Sequence, residues 1–187
     1  MNMKVTALHV NIIGQVVPSK YNGAGQAIEQ MLIEQGIPVD TRTAGPDIQV
    51  DGYTPVEVKS RDIDSTSAQD VCKMSAAYII KTPYRSSRVF EKTQRQYRVK
   101  TKDQVIISAE IFDFSPKFIQ DKIEESYEIC RKKIIAGDKS NYIYGTAWGY
   151  LEQTNKNSKS YSFRIGHGAM KSLESMANST YRELYDE

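Results

Sequence analysis

The chain has 187 residues, of which 40% are apolar and 26% charged, the composition of an ordinary globular protein with length for one substantial core and too little for two. No run of about 18 apolar residues occurs, so no membrane-spanning helix is expected, and the start Met1-Asn2-Met3-Lys4-Val5-Thr6 lacks the long apolar stretch of a secretory signal. The two cysteines, Cys72 and Cys130, read as buried thiols on helices rather than a disulfide framework, which points to a reducing compartment and a cytoplasmic protein.

Residues 4–17 mix apolar and polar positions without a clean period and leave strand and helix open. Pro18 to Gly23 is a loop, with Asn22-Gly23 as its turn signal. From Ala24 to Gln35 the apolar positions Ala24, Ala27, Ile28, Met31 and Leu32 define a helical face, and Gly36 stops it. On that helix Glu29 falls at the edge of the buried face and Glu34 farther round, so Glu29 is the better candidate to look inward. A solvated surface glutamate is the plain alternative.

Gly45 to Ser60 reads as a β-hairpin around Asp51-Gly52, with Asp47 on one strand and Val56-Glu57-Val58-Lys59 on the other. Side chains alternate along a strand, so Glu57 and Lys59 share one face while Val56 and Val58 enter a core. A two-residue turn at Asp51-Gly52 would pair Asp47 with Val56 and put Asp47 and Glu57 on opposite faces. Joint action of the two acids therefore requires a register shifted by one residue, through a bulge at Pro55 or a longer turn. Taken alone, the hairpin could simply carry solvated charges.

In the order helix with Glu29, Pro46-Asp47, Asp-Gly turn, Glu57-Val58-Lys59, this stretch resembles the PD-(D/E)xK nuclease superfamily; Gly25, Glu29 and Leu32 also fit that family's Gly-x-x-x-Glu-x-x-Leu helix. The resemblance covers residues 25–60. It implies a restriction-endonuclease-like α/β (α+β) core, a small mixed sheet flanked by helices, with the catalytic core at about 24–111 of a single domain spanning 1–187. It also implies Glu29, Asp47, Glu57 and Lys59 as catalytic residues. Mg²⁺, or Mn²⁺ in its place, would be held by Asp47, Glu57 and the Val58 carbonyl, because a hard cation prefers carboxylate, carbonyl and water oxygens.

After a polar connection at 60–65, Ser65 or Thr66 would cap a helix to about Lys81, with Ala68, Val71, Cys72, Ser75 and Ile79 inward and Gln69 near its start. Residues 81–102 then hold eight Lys or Arg against one acid, Glu91, a local +7 that leaves −5 for the other 165 residues. Lys81, Arg85, Arg88, Lys92, Arg95, Arg98 and Lys100, interleaved with Tyr84, Phe90 and Tyr97, suit a phosphate backbone and neighbouring bases; standing alone they would read as a solvated loop. Val105 to Ile111 is a mostly buried strand. Ser115-Pro116 starts a helix that Gly137 ends. Residues 142–151 and 160–165 form a hairpin with a polar tip, and a helix over 168–185 offers either core packing or a homodimer face.

The expectation is a Mg²⁺-dependent endonuclease acting on double-stranded DNA, site-specific and homodimeric like a type II restriction enzyme. The alternatives are a Holliday-junction resolvase, a phage or homing nuclease, an RNA-directed nuclease, or a non-catalytic DNA-binding module. Gly166-His167-Gly168 could expose a catalytic histidine, though a lone histidine between glycines is usually a turn feature, and the set Cys72, Cys130, His9 and His167 lacks the spacing of a zinc site.

Overall fold

The computed structural model describes residues 12–20, 23–41, 44–48, 55–155 and 159–184, and the side chains of all of them except 178–184. In chain order come α1 (Ala24–Glu34), β1 (Glu57–Asp62), β2 (Gln69–Ser75), α2 (Ala76–Lys81) and α3 (Arg88–Thr93). They are followed by β3 (Arg95–Lys102), β4 (Val105–Asp113), α4 (Lys117–Ile135), β5 (Tyr142–Tyr144), β6 (Tyr150–Gln153), β7 (Ser160–Ile165), α5 (His167–Met176) and β8 (Asn178–Leu184). The mixed α+β class is the expected one, carried by two small sheets. The chain divides into two units, one of Met1–Ser65, Gln94–Asp113 and Asn178–Glu187, the other of Thr66–Thr93 and Phe114–Ala177.

In the first unit α1 buries the stripe its spacing dictates: Ala27, Ile28, Met31 and Leu32. It stops at Gly36, whose φ of 83° is a conformation that side chains disfavour. Gly36 N–H donates to Ile33 O at 2.9 Å and Ile37 N–H to Leu32 O at 3.0 Å, the bond pair of a Schellman stop. Beyond it Val39 pairs antiparallel with Ile48, and Ile48 with Val56, leading into β1. The sheet runs in the order β1-β3-β4-β8, with β1 parallel to β3 and the other pairs antiparallel.

Alternation splits this sheet chemically. Val58, Tyr97 and Ile111 lie in one row and face the core with α1. On the opposite face the rows are Glu57–Gln96–Phe112 and Lys59–Arg98–Glu110. Residues 14–17, undecided from sequence, join the start of β4: Val16 pairs with Val105, and Gly14 N–H donates to Ile106 O at 2.8 Å.

The second unit contains a sheet in the order β2-β7-β6-β5, antiparallel throughout. The helix expected over 66–81 is instead β2 followed by the short α2. Cys72 and Met74 are buried while Lys73 and Ser75 are exposed, a period of two imposed by pairing with Phe163 and Tyr161 of β7. Ser75, and neither Ser65 nor Thr66, caps the helix, its Oγ accepting from Tyr78 N–H at 3.1 Å. α4 begins and ends close to expectation, with Pro116 itself at the N-cap and Gly137 at a φ of 93° past the end.

Two further readings need correction. The hairpin expected from 142–151 and 160–165 is a three-stranded meander, β5 pairing with β6 and β6 with β7. The C-terminal helix expected over 168–185 ends at Met176, and Asn178–Leu184 runs as a strand along β4. Asn, Ser, Thr and Tyr are weak helix formers, and the edge of β4 supplies backbone partners that a helix there would leave unused. Among the described residues, no helix is long and apolar enough to cross a membrane.

Candidate active site

Glu29, Asp47, Glu57, Val58 and Lys59 all belong to the first unit. Their arrangement follows from the pairing of Ile48 with Val56, whose N–H and C=O groups exchange both bonds at 2.9 Å. Continuing this register sets Asp47 opposite Glu57, one residue away from the two-residue hairpin and in the sense that joint action of the acids requires. The turn itself, at 51–54, lies outside the described residues.

Val58 is two residues beyond Val56 and so turns its backbone polar groups to the same side. Its N–H donates to Asp47 Oδ2 at 2.8 Å. A strand residue sends its N–H and C=O to one side, so the Val58 carbonyl oxygen also faces the Asp47 segment. On the face opposite α1, Lys59 Nζ lies 2.7 Å from Glu57 Oε1. Glu57 is only 2% exposed, and the ion pair compensates a carboxylate that burial would otherwise penalise heavily.

The donor chemistry of Asp47, Glu57 and the Val58 carbonyl suits a hard oxygen-seeking cation. α1 packs on the Val58 face of β1, opposite the face carrying Glu57 and Lys59, and Glu29 is half-buried at its margin. Among the described residues no group of three His, Cys, Asp or Glu gathers to hold a metal. A Cβ on Gly25 would meet Ser60 Oγ at an ordinary 3.6 Å, so that glycine is not sterically required.

The sequence reading passed over Gln96 and Arg98 as neighbours of the motif. The register sets Gln96 beside Glu57 and Arg98 beside Lys59, and Arg98 Nη1 donates to Gln96 Oε1 at 2.9 Å. The signal was available in the alternation of Gln96-Tyr97-Arg98-Val99, whose apolar members define the core face. Arg98, expected among the DNA contacts, is 3% exposed.

The rest of the basic run is likewise more structured than a solvated loop. Lys81 ends α2, Arg85 lies on a 3-10 turn at Tyr84–Ser86, Arg88 and Lys92 are on α3, and Arg95 and Lys100 on β3. The first four belong to the second unit and the last two, with Arg98, to the first. Arg85 Nη2 pairs with Glu124 at 2.7 Å and Asp121 at 3.1 Å; the hydrogen bond to Glu124 leads the causes that raise its pKa. Arg88 stacks over the Tyr78 ring at 4.9 Å. Tyr84 and Tyr97, expected to meet bases, are 0% exposed, one in the core of each unit. Gln69 is on β2, in the unit that does not carry the motif.

A cleft of about 330 Å³ opens in the first unit between Val17, Ser19, Gly23, Ala24, Asp62 and Thr101. It touches β1 at Asp62, five residues and roughly 17 Å of strand from Glu57, so it is separate from the acid–lysine group. No protein-family model matches the chain, and a search of curated proteins likewise found no match.

Proposed function

We propose that the chain is a Mg²⁺-dependent DNA endonuclease with a restriction-endonuclease-like core, its site built on Asp47, Glu57, Val58 and Lys59. The observation that carries this reading is the hairpin register. It sets the two acids opposite each other and turns the Val58 backbone toward Asp47. The element order, a helix, the Pro46-Asp47 segment and then the Glu57-Val58-Lys59 strand, supports it as well.

Asp47, Glu57 and the Val58 carbonyl would hold the cation, which when bound neutralises phosphate charge and lowers the pKa of a coordinated water. Lys59, now on Glu57, would orient the attacking water and offset charge growing on the phosphate. The Val58 amide fixes the Asp47 carboxylate, so the acid needs no reorientation. Mn²⁺ would substitute, double-stranded DNA is the substrate, and cutting both strands calls for a homodimer.

A second reading, a DNA-binding module without catalysis, draws on the burial of Glu57 and on the absence of a three-acid group among the described residues. Cleavage separates the two. Supercoiled plasmid, phage DNA and a four-way junction are incubated with the protein in Mg²⁺, Mn²⁺, Ca²⁺ or EDTA. Asp47→Asn keeps an oxygen acceptor for the Val58 amide and removes the charge, so the fold survives and cleavage should fall at least about a hundredfold. Discrete plasmid or phage fragments seen only with Mg²⁺ or Mn²⁺ support a site-specific enzyme, and junction cutting alone a resolvase. Metal-independent cleavage, or Asp47→Asn cutting at the wild-type rate, overturns the assignment; DNA binding without turnover leaves the binding module.

A further inference from the structure

The outer face of the β5–β6 hairpin, in the second unit, carries chemistry that the acid–lysine site does not use. Tyr142 and Tyr144 alternate with Ile143, which is buried, so both tyrosines point away from the core; they are 49% and 59% exposed. Register puts Tyr150 of β6 directly opposite Tyr144, and Arg164 of β7 opposite Tyr150. The rings hold one another. Tyr142 and Tyr144 are nearly parallel, 14° apart in plane with centroids at 6.2 Å, and Tyr144 leans on Tyr150 at 5.6 Å.

This aromatic patch has a cationic border. Lys133, in the last turn of α4, donates from Nζ to the Tyr144 carbonyl at 2.8 Å, which fixes an ammonium on the backbone of the strand that carries Tyr142 and Tyr144. Lys132 and Lys139 flank it in sequence, both exposed, with Asp138 as the acid between them. Within the patch Glu152, directly opposite Tyr142, accepts from Tyr142 O–H at 3.4 Å, and Arg164 pairs with this acid.

We propose that this face is a stacking platform for the unpaired bases of a single-stranded nucleic acid, with Lys133 and its neighbours following the phosphates. Flat rings offer π faces that any base can use, and exposed lysines beside them match the backbone charge. The contacts among the three rings order the platform before binding, which lowers the entropy cost of association. A neutral glycan would leave the lysine border without a counter-charge, and a second copy of this chain would bring more lysine against it. β5, at three residues, is also a short edge for pairing with another strand.

The proposal stands apart from the acid–lysine site and is read without metal or turnover. A labelled 20-nucleotide oligothymidylate and its oligouridylate counterpart are titrated with the full chain in EDTA, followed by fluorescence anisotropy. Binding of either should weaken about tenfold in Tyr142→Ala and in Tyr144→Ala, while Tyr144→Phe stays within about twofold of wild type. Lys133→Gln should lower the slope of log affinity against log salt by about 0.7. The substituted side chains are exposed, so the variants fold, and circular dichroism checks this. Wild-type affinity in both alanine variants, no binding of either strand, or equal affinity for a duplex of the same length would each overturn the proposal. So would a change of oligomeric state on tyrosine replacement, which would make the face an interface between copies of the chain.

Discussion

Asp47 is a residue whose role depends on a single pairing. Moving the hairpin by one position would carry its carboxylate to the other face of β1 and away from Glu57, with no change in sequence. Lys59 is bound to Glu57 by charge as well as by alternation. A neutral residue at 59 would take a charged partner from a buried carboxylate and cost stability as well as chemistry, so Asp47→Asn is the cleaner probe of chemistry. Cys130 shows what burial does to a thiol. Burial pushes its thiol up to about 12, and Sγ–H donates to Ile143 O at 3.1 Å. At pH 8 the thiolate fraction is then on the order of one in ten thousand. Iodoacetamide should spare Cys130 in the native protein and modify it in urea, read by peptide mass spectrometry; prompt native labelling would contradict the burial.

Among the elements, the β5–β6 turn packs closely against a helix. A Cβ on Gly145 would sit 2.4 Å from Ser126 O and 2.7 Å from Ser126 Cα, both backbone atoms of α4 that no rotamer change can move. Ser126 Oγ also accepts from Thr146 N–H at 3.0 Å, which holds the turn against the helix. Gly145→Ala should therefore destabilise the protein by about 2–3 kcal/mol in urea titration. Gly166→Ala, where an added Cβ meets nothing within 4 Å, should cost no more than the poorer N-cap of α5, about 1 kcal/mol. Equal midpoints for the two variants would disprove the close approach. Gln120 is a second fixed point within the same unit: its Nε2 donates to Thr93 O at 3.1 Å and Phe114 O at 2.9 Å, and its Oε1 accepts from Tyr84 O–H at 2.7 Å. That network explains why Tyr84, inside a basic run, is a core residue.

Across the whole molecule, buried phenols set an alkaline limit. Tyr84 and Tyr127 are held above the ordinary value of 10.0, chiefly by burial. Unfolded tyrosines lose their protons near pH 10 while these two keep theirs, so the stability they confer is complete below that pH. It then falls as pH rises, by up to about 1.4 kcal/mol per unit for each phenol. Urea midpoints from pH 8 to 11.5 should hold steady and then decline; a flat profile would mean that the phenols are accessible. At this scale the local sequence determined α1 and its Gly36 stop, α4 from Pro116 to Gly137, and the strand character of Val-Glu-Val-Lys. Periodicity, proline and left-handed glycine act within a few residues and need no distant partner. Alternation also tied any joint action of Asp47 and Glu57 to a shifted register, and the pairing of Ile48 with Val56 is that register. Only the tertiary structure decided that 69–75 and 178–184 are strands, and that Arg98, Tyr84 and Tyr97 of the basic run turn inward. Strand pairing and burial are set by partners tens of residues away, and no local pattern carries their positions.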